Sequence, residues 1–182
     1  MIIVIAIGVV GYVALTPKEQ SSKKIGVGAT APDFSLPDAA GGTFKLSEYR
    51  GKSNVLLFFN EGLACDPCLT QMRDLDQLNT QLTDMNVVFV SITGDQLQLL
   101  ANWAKSSGTK YGKVLSDQGL QVSKMYDMLG ADVSMMPGTA PGHTFILVNK
   151  AGMIVWRGDY GPYNMYVPNN EIIAQVRKSL GS

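Results

Sequence analysis

The chain has 182 residues, and 46% of them are hydrophobic, which is enough for one domain of ordinary size with a buried core. Its 15 basic and 15 acidic side chains balance, so the chain has no field of a single sign that would attract nucleic acid or another polyanion. The composition therefore argues against nucleic acid as a partner and favours small molecules or other proteins.

Residues 1–15 carry no charge and are strongly apolar. A spanning helix needs about 20 such residues, so the segment predicts an N-terminal hydrophobic helix that serves as a short membrane anchor or a signal. It lacks a basic n-region and a small-x-small cleavage site, which favours an uncleaved anchor. A helix buried in the core is the alternative.

Residues 16–28 are polar, rich in Lys and Ser and without periodicity. They predict a flexible linker between the anchor and a globular domain over residues 29–182. Lys18, Lys23 and Lys24 follow the apolar segment, and by the positive-inside rule they would keep this domain in the cytoplasm.

The domain begins with a turn-rich stretch over 31–42 and a short strand over 43–47, and then Asn54–Phe59 predicts a buried strand. A helix from Cys68 onward is indicated by one apolar stripe at three- and four-residue steps, formed by Leu69, Met72, Leu75, Leu78, Leu82 and Met85.

Between that strand and that helix lie the two cysteines of the chain, Cys65 and Cys68. A helix that begins there directs its unpaired N–H groups and its positive dipole end at the first sulfur, which favours the thiolate, the species that attacks disulfides. Strand, turn, CxxC and helix in this order predict a redox site.

Other uses of a CxxC pair fit less well. Structural zinc needs four ligands, and the chain offers two Cys and one distant His143. Covalent haem needs His directly after the second Cys, where Leu69 stands. A purely structural disulfide stays open, although a loop this short gains little stability from closure. We therefore predict neither a metal nor a cofactor.

Asp66, between the cysteines, has two interpretations. A carboxylate beside Cys65 disfavours the thiolate and makes the couple more reducing. Alternatively, Asp66 is a solvated residue of the first helical turn, favourable to the helix dipole and otherwise idle. The first interpretation predicts a reductant.

The second half of the chain continues the alternation of strands and helices. Strands are predicted over 87–92, 113–115 and 143–148, and helices over about 95–105 and 118–129. A turn at 149–152 leads into a strand over 153–157, which makes a hairpin, and the last helix over 170–180 has Asn169 or Asn170 available as N-cap. The loop over 131–141, without a period, is a candidate lid. Together these elements predict an α/β fold with a mixed central sheet.

Five segments in order resemble thioredoxin-fold redoxins of the alkyl hydroperoxide reductase and thiol-specific antioxidant superfamily: residues 31–34, 46–52, 65–68, 116–117 and 144–152. Within it, the chain looks like the membrane-anchored thiol-disulfide oxidoreductases. The resemblance implies a three-layer sandwich, with the first cysteine exposed at a helix start and the second buried behind it.

The resemblance also implies roles and partners. Cys65 would be the attacking nucleophile and Cys68 the resolving thiol, and exchange with protein thiols and disulfides would pass through a mixed disulfide. An upstream thiol would supply electrons. Because anchored CxxC domains usually work where disulfides persist, we expect an extracytoplasmic domain in spite of the lysines that follow the anchor.

Two other functions within this fold stay open. Peroxiredoxins place Thr three residues before the peroxidatic cysteine, but here Gly62 precedes Cys65 and Cys65 precedes Cys68 at that distance. Thiol peroxidase is therefore the second hypothesis. A copper chaperone is a distant third, since nine Met offer soft ligands but such proteins space their cysteines one residue wider.

Accessory residues are expected around the pair, beginning with Asp66 and Pro67 inside it. Family members place a cis-proline directly before the strand that faces the cysteines. Pro141 stands one residue early for that place, so Gly142 or His143 would take it. Glu61 is the nearest carboxylate and a candidate proton acceptor. His143, the single histidine, is a candidate proton shuttle near neutral pH, or else a strand-end residue with a satisfied ring.

Overall fold

The structure is a computed structural model that describes residues 24–110 and 112–181. The anchor predicted over residues 1–15 and residues 16–23 of the predicted linker lie outside this part of the chain. Over the described ranges, no helix has both the length and the apolar character needed to cross a bilayer.

A five-stranded mixed sheet forms the centre of the domain. A small antiparallel hairpin, β1 (Ser35–Pro37) and β2 (Thr43–Lys45), precedes it. The central strands are β3 (Asn54–Phe59), β4 (Val87–Thr93), β5 (Lys113–Ser116), β6 (Thr144–Val148) and β7 (Ile154–Asp159). Their order is β5-β4-β3-β6-β7, in which β4 is parallel to β3 and β5, and β6 is antiparallel to β3 and β7. The predicted mixed sheet is confirmed.

The helices are α1 (Asp66–Gln77), α2 (Asn79–Asp84), α3 (Leu97–Ser107), α4 (Gln121–Met125) and α5 (Asn169–Leu180). Three predicted details are wrong. The long helix from Cys68 is interrupted at Leu78 and forms α1 and α2. The helix over 118–129 shrinks to α4, because Leu120 and Asp127 adopt left-handed backbone conformations on either side of it. Pro168, and neither asparagine, occupies the N-cap position of α5.

The sheet separates two apolar clusters. Successive strand residues point to opposite faces, and every residue of β3 is buried, so this strand contributes to both clusters. Val55, Leu57 and Phe59 pack with the β1–β2 hairpin and α4. Leu56 and Phe58 pack with α1, α2 and α5. The three layers implied by the resemblance are therefore present.

The domain begins earlier in the chain than the sequence pattern indicates. The Ile25 N–H donates to Asp127, the Ile25 carbonyl accepts from Arg157, and the Gly28 N–H donates to the Ile154 carbonyl. Lys24 forms ion pairs with Asp132 and Asp159. Residues 24–28, assigned above to the flexible linker, are thus attached to the folded domain.

Candidate active site

A disulfide between Cys65 and Cys68 lies where β3 ends and α1 begins, at the carboxyl end of the central strand. A turn of 3-10 helix, Gly62–Ala64, leads from the strand into the pair. Both cysteines of the chain are therefore used by this bond. The geometry places the pair as the sequence predicts, at a helix start.

Cys65 is the N-cap residue of α1. Its extended backbone conformation leaves its sulfur free to accept a hydrogen bond from the Cys68 N–H at 3.2 Å. Asp66 and Pro67 form the exposed start of the helix. Because Pro67 has no N–H, the Cys68 N–H is the donor that the first turn directs at the Cys65 sulfur.

The two sulfurs are not equally accessible. Cys65 is 4% exposed and Cys68 is fully buried. The expected order, with the first cysteine nearer to solvent, is kept. The expected exposure of Cys65 is wrong for the disulfide form, in which little of the residue reaches the surface.

Polar side chains hold the turn before Cys65 from two strands. The fully buried Asn60, directly after β3, accepts a hydrogen bond from the Gly62 N–H at 2.9 Å and donates to Ser91 of β4. Asp95, two residues after β4, accepts from the Leu63 N–H at 2.9 Å. The backbone of the turn that precedes Cys65 is therefore held by two side-chain hydrogen-bond acceptors.

Asp95 also explains why residue 62 is glycine. Gly62 has a φ of +71°, a conformation that L side chains rarely adopt, and a Cβ atom built there would collide with the Asp95 carboxylate. The carboxylate thus occupies the space beside the turn that a larger residue would fill.

Glu61 has a structural partner on another loop. Its buried carboxylate accepts from the Met135 N–H at 2.7 Å and from the Ser134 hydroxyl at 3.4 Å. The candidate lid over 131–141 is thus attached to the segment before Cys65, and internal bonds from Ser134 to the Ala140 carbonyl and from the Met136 N–H to Ser134 fold it on itself. The role of Glu61 as proton acceptor stays a prediction.

His143 lies directly before β6, with its ring 4.7 Å from the ring of Phe58 on the α1 face of the sheet. Its Nδ1 is 3.0 Å from the Asn164 carbonyl, which only accepts, so Nδ1 carries the proton. Nε2 is buried without a hydrogen-bond partner. Burial lowers the pKa of His143 to about 4, so the ring is neutral at pH 7 and does not shuttle protons by charging near neutral pH.

Pro141 and Gly142 complete the approach to β6. Within the described part of the chain, the cis peptide bond is Gly161–Pro162, so the bond before Pro141 is trans. A Cβ atom at Gly142 would collide with the backbone of Val133, which explains why a residue without a side chain stands there. The backbone of the 131–141 loop thus packs directly against the residue before His143.

Sequence reasoning missed three residues of this region: Asn60, Asp95 and Gln71. The first two follow parallel neighbouring strands, and polar residues at that place are a usable signal. Gln71 is fully buried in α1, where it accepts from the Val167 N–H at 2.7 Å and donates to Asn169 at 3.1 Å. Its partners are almost a hundred residues away, so local periodicity could not reveal it.

The sequence model of the AhpC/TSA family matches residues 27–157 of this chain. The chain belongs to this family. Thiol-disulfide oxidoreductase ResA of Geobacillus kaustophilus is 29% identical over 154 residues, which are 84% of this chain and 80% of the relative. Chloroplastic peroxiredoxin Q of Triticum aestivum is 27% identical over 160 residues, 87% of this chain and 64% of the relative.

The fold of the chain is similar to that of a solved structure with a related name. The crystal structure of peroxidoxin BcpB from Mycobacterium tuberculosis superposes with a TM-score of 0.71 at 20% identity, over 85% of this chain and 97% of that one. The thioredoxin-like architecture of the AhpC/TSA family is thereby confirmed. No group of three or more His, Cys, Asp or Glu side chains that could hold a metal ion occurs among residues 24–110 and 112–181.

Proposed function

We propose that this AhpC/TSA family member is a thiol-disulfide oxidoreductase whose Cys65–Cys68 pair cycles between dithiol and disulfide. The observation that carries the proposal is the disulfide at the N-terminus of α1, with the Cys68 N–H directed at the Cys65 sulfur. A hydrogen bond and a positive helix end at this sulfur stabilise the thiolate needed for attack. Similarity to the ResA oxidoreductases supports the same activity.

The reaction that fits this geometry has two steps. The Cys65 thiolate attacks one sulfur of a substrate disulfide, and the other substrate sulfur leaves as a thiolate and takes up a proton. Cys68, deprotonated, then attacks the Cys65 sulfur of the mixed disulfide and releases the second substrate thiol. Two electrons and two protons pass from the pair to the substrate. An upstream thiol donor returns the pair to the dithiol form.

Cys65 suits the first step and Cys68 the second. Cys65 is the more accessible of the two and carries the helix-end hydrogen bond, whereas Cys68 is fully buried and reaches its partner inside the protein. Within this proposal the pair works as a reductant of protein disulfides. The exposed carboxylate of Asp66 beside Cys65 favours that direction.

We also propose that residues 1–15 anchor the protein in a membrane and that the domain is extracytoplasmic. The uncharged apolar character of the segment supports the anchor, and a CxxC disulfide supports an oxidising compartment. Protease protection of the domain in membrane vesicles of known orientation tests both points.

Thiol peroxidase is the second candidate, favoured by similarity to peroxiredoxin Q. The turn before the pair argues against it. Thr in place of Gly62 would meet the Asp95 carboxylate and an unfavourable backbone conformation, and on the other alignment the same place is taken by Cys65. A thiolate without such a hydroxyl lacks part of the hydrogen-bond cradle that polarises a peroxide.

Reduction of insulin disulfides and consumption of hydrogen peroxide, assayed on the same preparation with one thiol donor, test the proposal. We expect insulin to be reduced while peroxide is consumed no faster than by an ordinary exposed thiol. Rapid peroxide turnover with intact insulin would establish the peroxidase instead.

Single serine variants assign the two roles within that assay. Cys68→Ser leaves the mixed disulfide unresolved, so it is expected to accumulate covalent adducts on Cys65. Cys65→Ser serves as the matched control and is expected to accumulate none. Adducts on the Cys65→Ser protein alone would reverse the assignment.

A further inference from the structure

The carboxylate of Asp95 reaches the turn before Cys65 from a different part of the sheet. Its Oδ2 accepts from the Leu63 N–H at 2.9 Å and from the Thr93 hydroxyl at 3.0 Å. Its own backbone carbonyl accepts from the Ser116 hydroxyl at 2.6 Å, at the end of β5. Asp95 therefore links the ends of two strands to the turn that carries the redox pair.

This contact fixes the backbone two residues before Cys65. The Gly62 carbonyl accepts from the Cys65 N–H at 3.0 Å, so the orientation of the Gly62–Ala64 turn determines how Cys65 enters α1. Asp95 holds that turn through the Leu63 N–H and leaves no space for a side chain at Gly62. Movement of the carboxylate would free the turn and, with it, the placement of the Cys65 sulfur.

The same carboxylate brings negative charge to the turn that leads into Cys65. Asp66 on α1, Glu61 before the turn and Asp95 after β4 are carboxylates of the segments that adjoin or contact the turn before Cys65. His143 on the β6 side is neutral at pH 7. A carboxylate held near a thiol disfavours the thiolate, which makes the dithiol a stronger reductant.

We propose that Asp95 is a positioning residue of the redox site, which holds the turn before Cys65 through the Leu63 N–H and tunes the pair toward reduction through its charge. This inference rests on the proposed thiol-disulfide exchange, and it identifies what sets the direction of that exchange. The residue acts through the turn and through space, without contact with the reacting sulfurs.

Two variants separate charge from position. Asp95→Asn removes the charge but keeps an oxygen for the Leu63 N–H, whereas Asp95→Ala removes both. Asp84→Asn is the matched control, because Asp84 is an exposed carboxylate at the end of α2. The full chain is used throughout.

The charge is measured by the pH dependence of Cys65 alkylation in a Cys68→Ser background. We expect the midpoint to move to lower pH in Asp95→Asn and to stay in place in Asp84→Asn. In the intact pair, at a pH above the wild-type midpoint, equilibration with glutathione should move toward the dithiol by roughly three- to tenfold in Asp95→Asn, as expected for loss of one charge beside the turn that carries the pair.

The positioning role is measured by kcat and KM for insulin reduction. Asp95→Ala should lose several-fold more kcat than Asp95→Asn, so that the conservative variant rescues turnover. Alkylation midpoints that are the same in wild type, Asp95→Asn and Asp84→Asn would overturn the charge role, and equal kcat in the Asn and Ala variants would overturn the positioning role. Should the wild type fail to reduce insulin, the proposed function fails, while the alkylation series still decides the effect of Asp95.

Discussion

The chemistry of His143 depends on its burial. As the single histidine of the chain it suggests proton transfer near neutral pH, where an unperturbed imidazole titrates. In the fold His143 is 1% exposed, and its Nδ1–H donates a hydrogen bond to the Asn164 carbonyl. Burial lowers its pKa to about 4. The ring that precedes β6 is therefore neutral, with an Nε2 lone pair that has no hydrogen-bond partner.

This burial predicts how stability depends on pH. Because the folded-state pKa of His143 lies below the unfolded value of 6.5, the unfolded chain binds the extra proton between pH 6.5 and 4. The stabilisation is fully present above pH 6.5 and is lost as the pH falls toward 4, by up to about 3 kcal/mol. Urea unfolding of wild type and His143→Gln across this range measures the difference.

His143→Gln keeps a donor for the Asn164 carbonyl and cannot titrate, so its free energy of unfolding should fall less steeply on acidification than that of the wild type. Carboxylates titrate in both proteins and cancel in the comparison. Parallel curves for the two proteins between pH 6.5 and 4 would show that the ring is not buried as a neutral base.

Residue-level prediction from sequence succeeded where the signal was local. Cys65 and Cys68 stand three apart between an apolar strand and an apolar helical stripe, and this order predicts the pair at a helix start, where the structure has it. Asp95 and Glu61 belong to contacts between segments distant in sequence, and nothing in their neighbourhood shows which N–H groups their carboxylates accept from. The hydrogen-bond partners of such residues can be identified only from the three-dimensional structure.

At the level of elements, the apolar stripe after Cys68 identified the buried face correctly but not the interruption at Leu78. Met72, Leu75 and Leu82 all pack in the same cluster, so the periodicity continues across the break between α1 and α2. A stripe reports which side faces the core, and it is nearly the same for one helix or for two short helices in line. The strands were easier to predict, because β3 is buried on both faces and reads as an unbroken apolar run.

Gln71 joins α1 to the segment that leads into α5. Replacement by Leu keeps the size of the side chain but leaves the Val167 N–H, paired at 2.7 Å in the wild type, without an acceptor in a buried place. We expect Gln71→Leu to lower the free energy of unfolding by about 1–3 kcal/mol. Chemical denaturation measures this directly.

Gln77→Leu is the matched control for that change, since Gln77 is exposed at the last turn of the same helix. Its stability should stay close to that of the wild type. If both variants lose equal stability, the loss comes from the Leu side chain on α1 and not from the contact between Gln71 and Val167.

At the scale of the whole molecule, the folded unit includes chain that composition alone assigns to a tether. Residues 24–28 end a stretch that is polar as a whole and aperiodic, yet their backbone is held by Asp127, Arg157 and the Ile154 carbonyl. Composition indicates only whether a segment has enough apolar residues to be buried. These contacts are made by groups on β7 and in the loops next to α4 and β7, which are distant in sequence. The boundary between linker and folded domain is therefore set by tertiary contacts, and the local sequence pattern does not reveal it.

Two truncated chains test this boundary. One begins at Lys24 and the other at Ala29, each after an initiator Met. The shorter chain loses the Ile25 bonds to Asp127 and Arg157 and both ion pairs of Lys24. We expect it to be less stable than the longer chain by about 2–4 kcal/mol, because hydrogen bonds to charged and partly buried groups are among the stronger ones.

Arg157 decides how large this loss is. Its side chain is 7% exposed, and its Nη1 donates to the Ile25 carbonyl at 2.7 Å and to the Tyr126 carbonyl at 3.1 Å. Removal of Ile25 leaves the guanidinium with one acceptor fewer, which is costly wherever water cannot replace that acceptor. Arg157→Met in the shorter chain should therefore recover part of the loss, while the same change in the longer chain should destabilise it.

Equal stability of the two truncated chains would show that the domain begins at Ala29 and that the contacts of residues 24–28 contribute nothing to the fold.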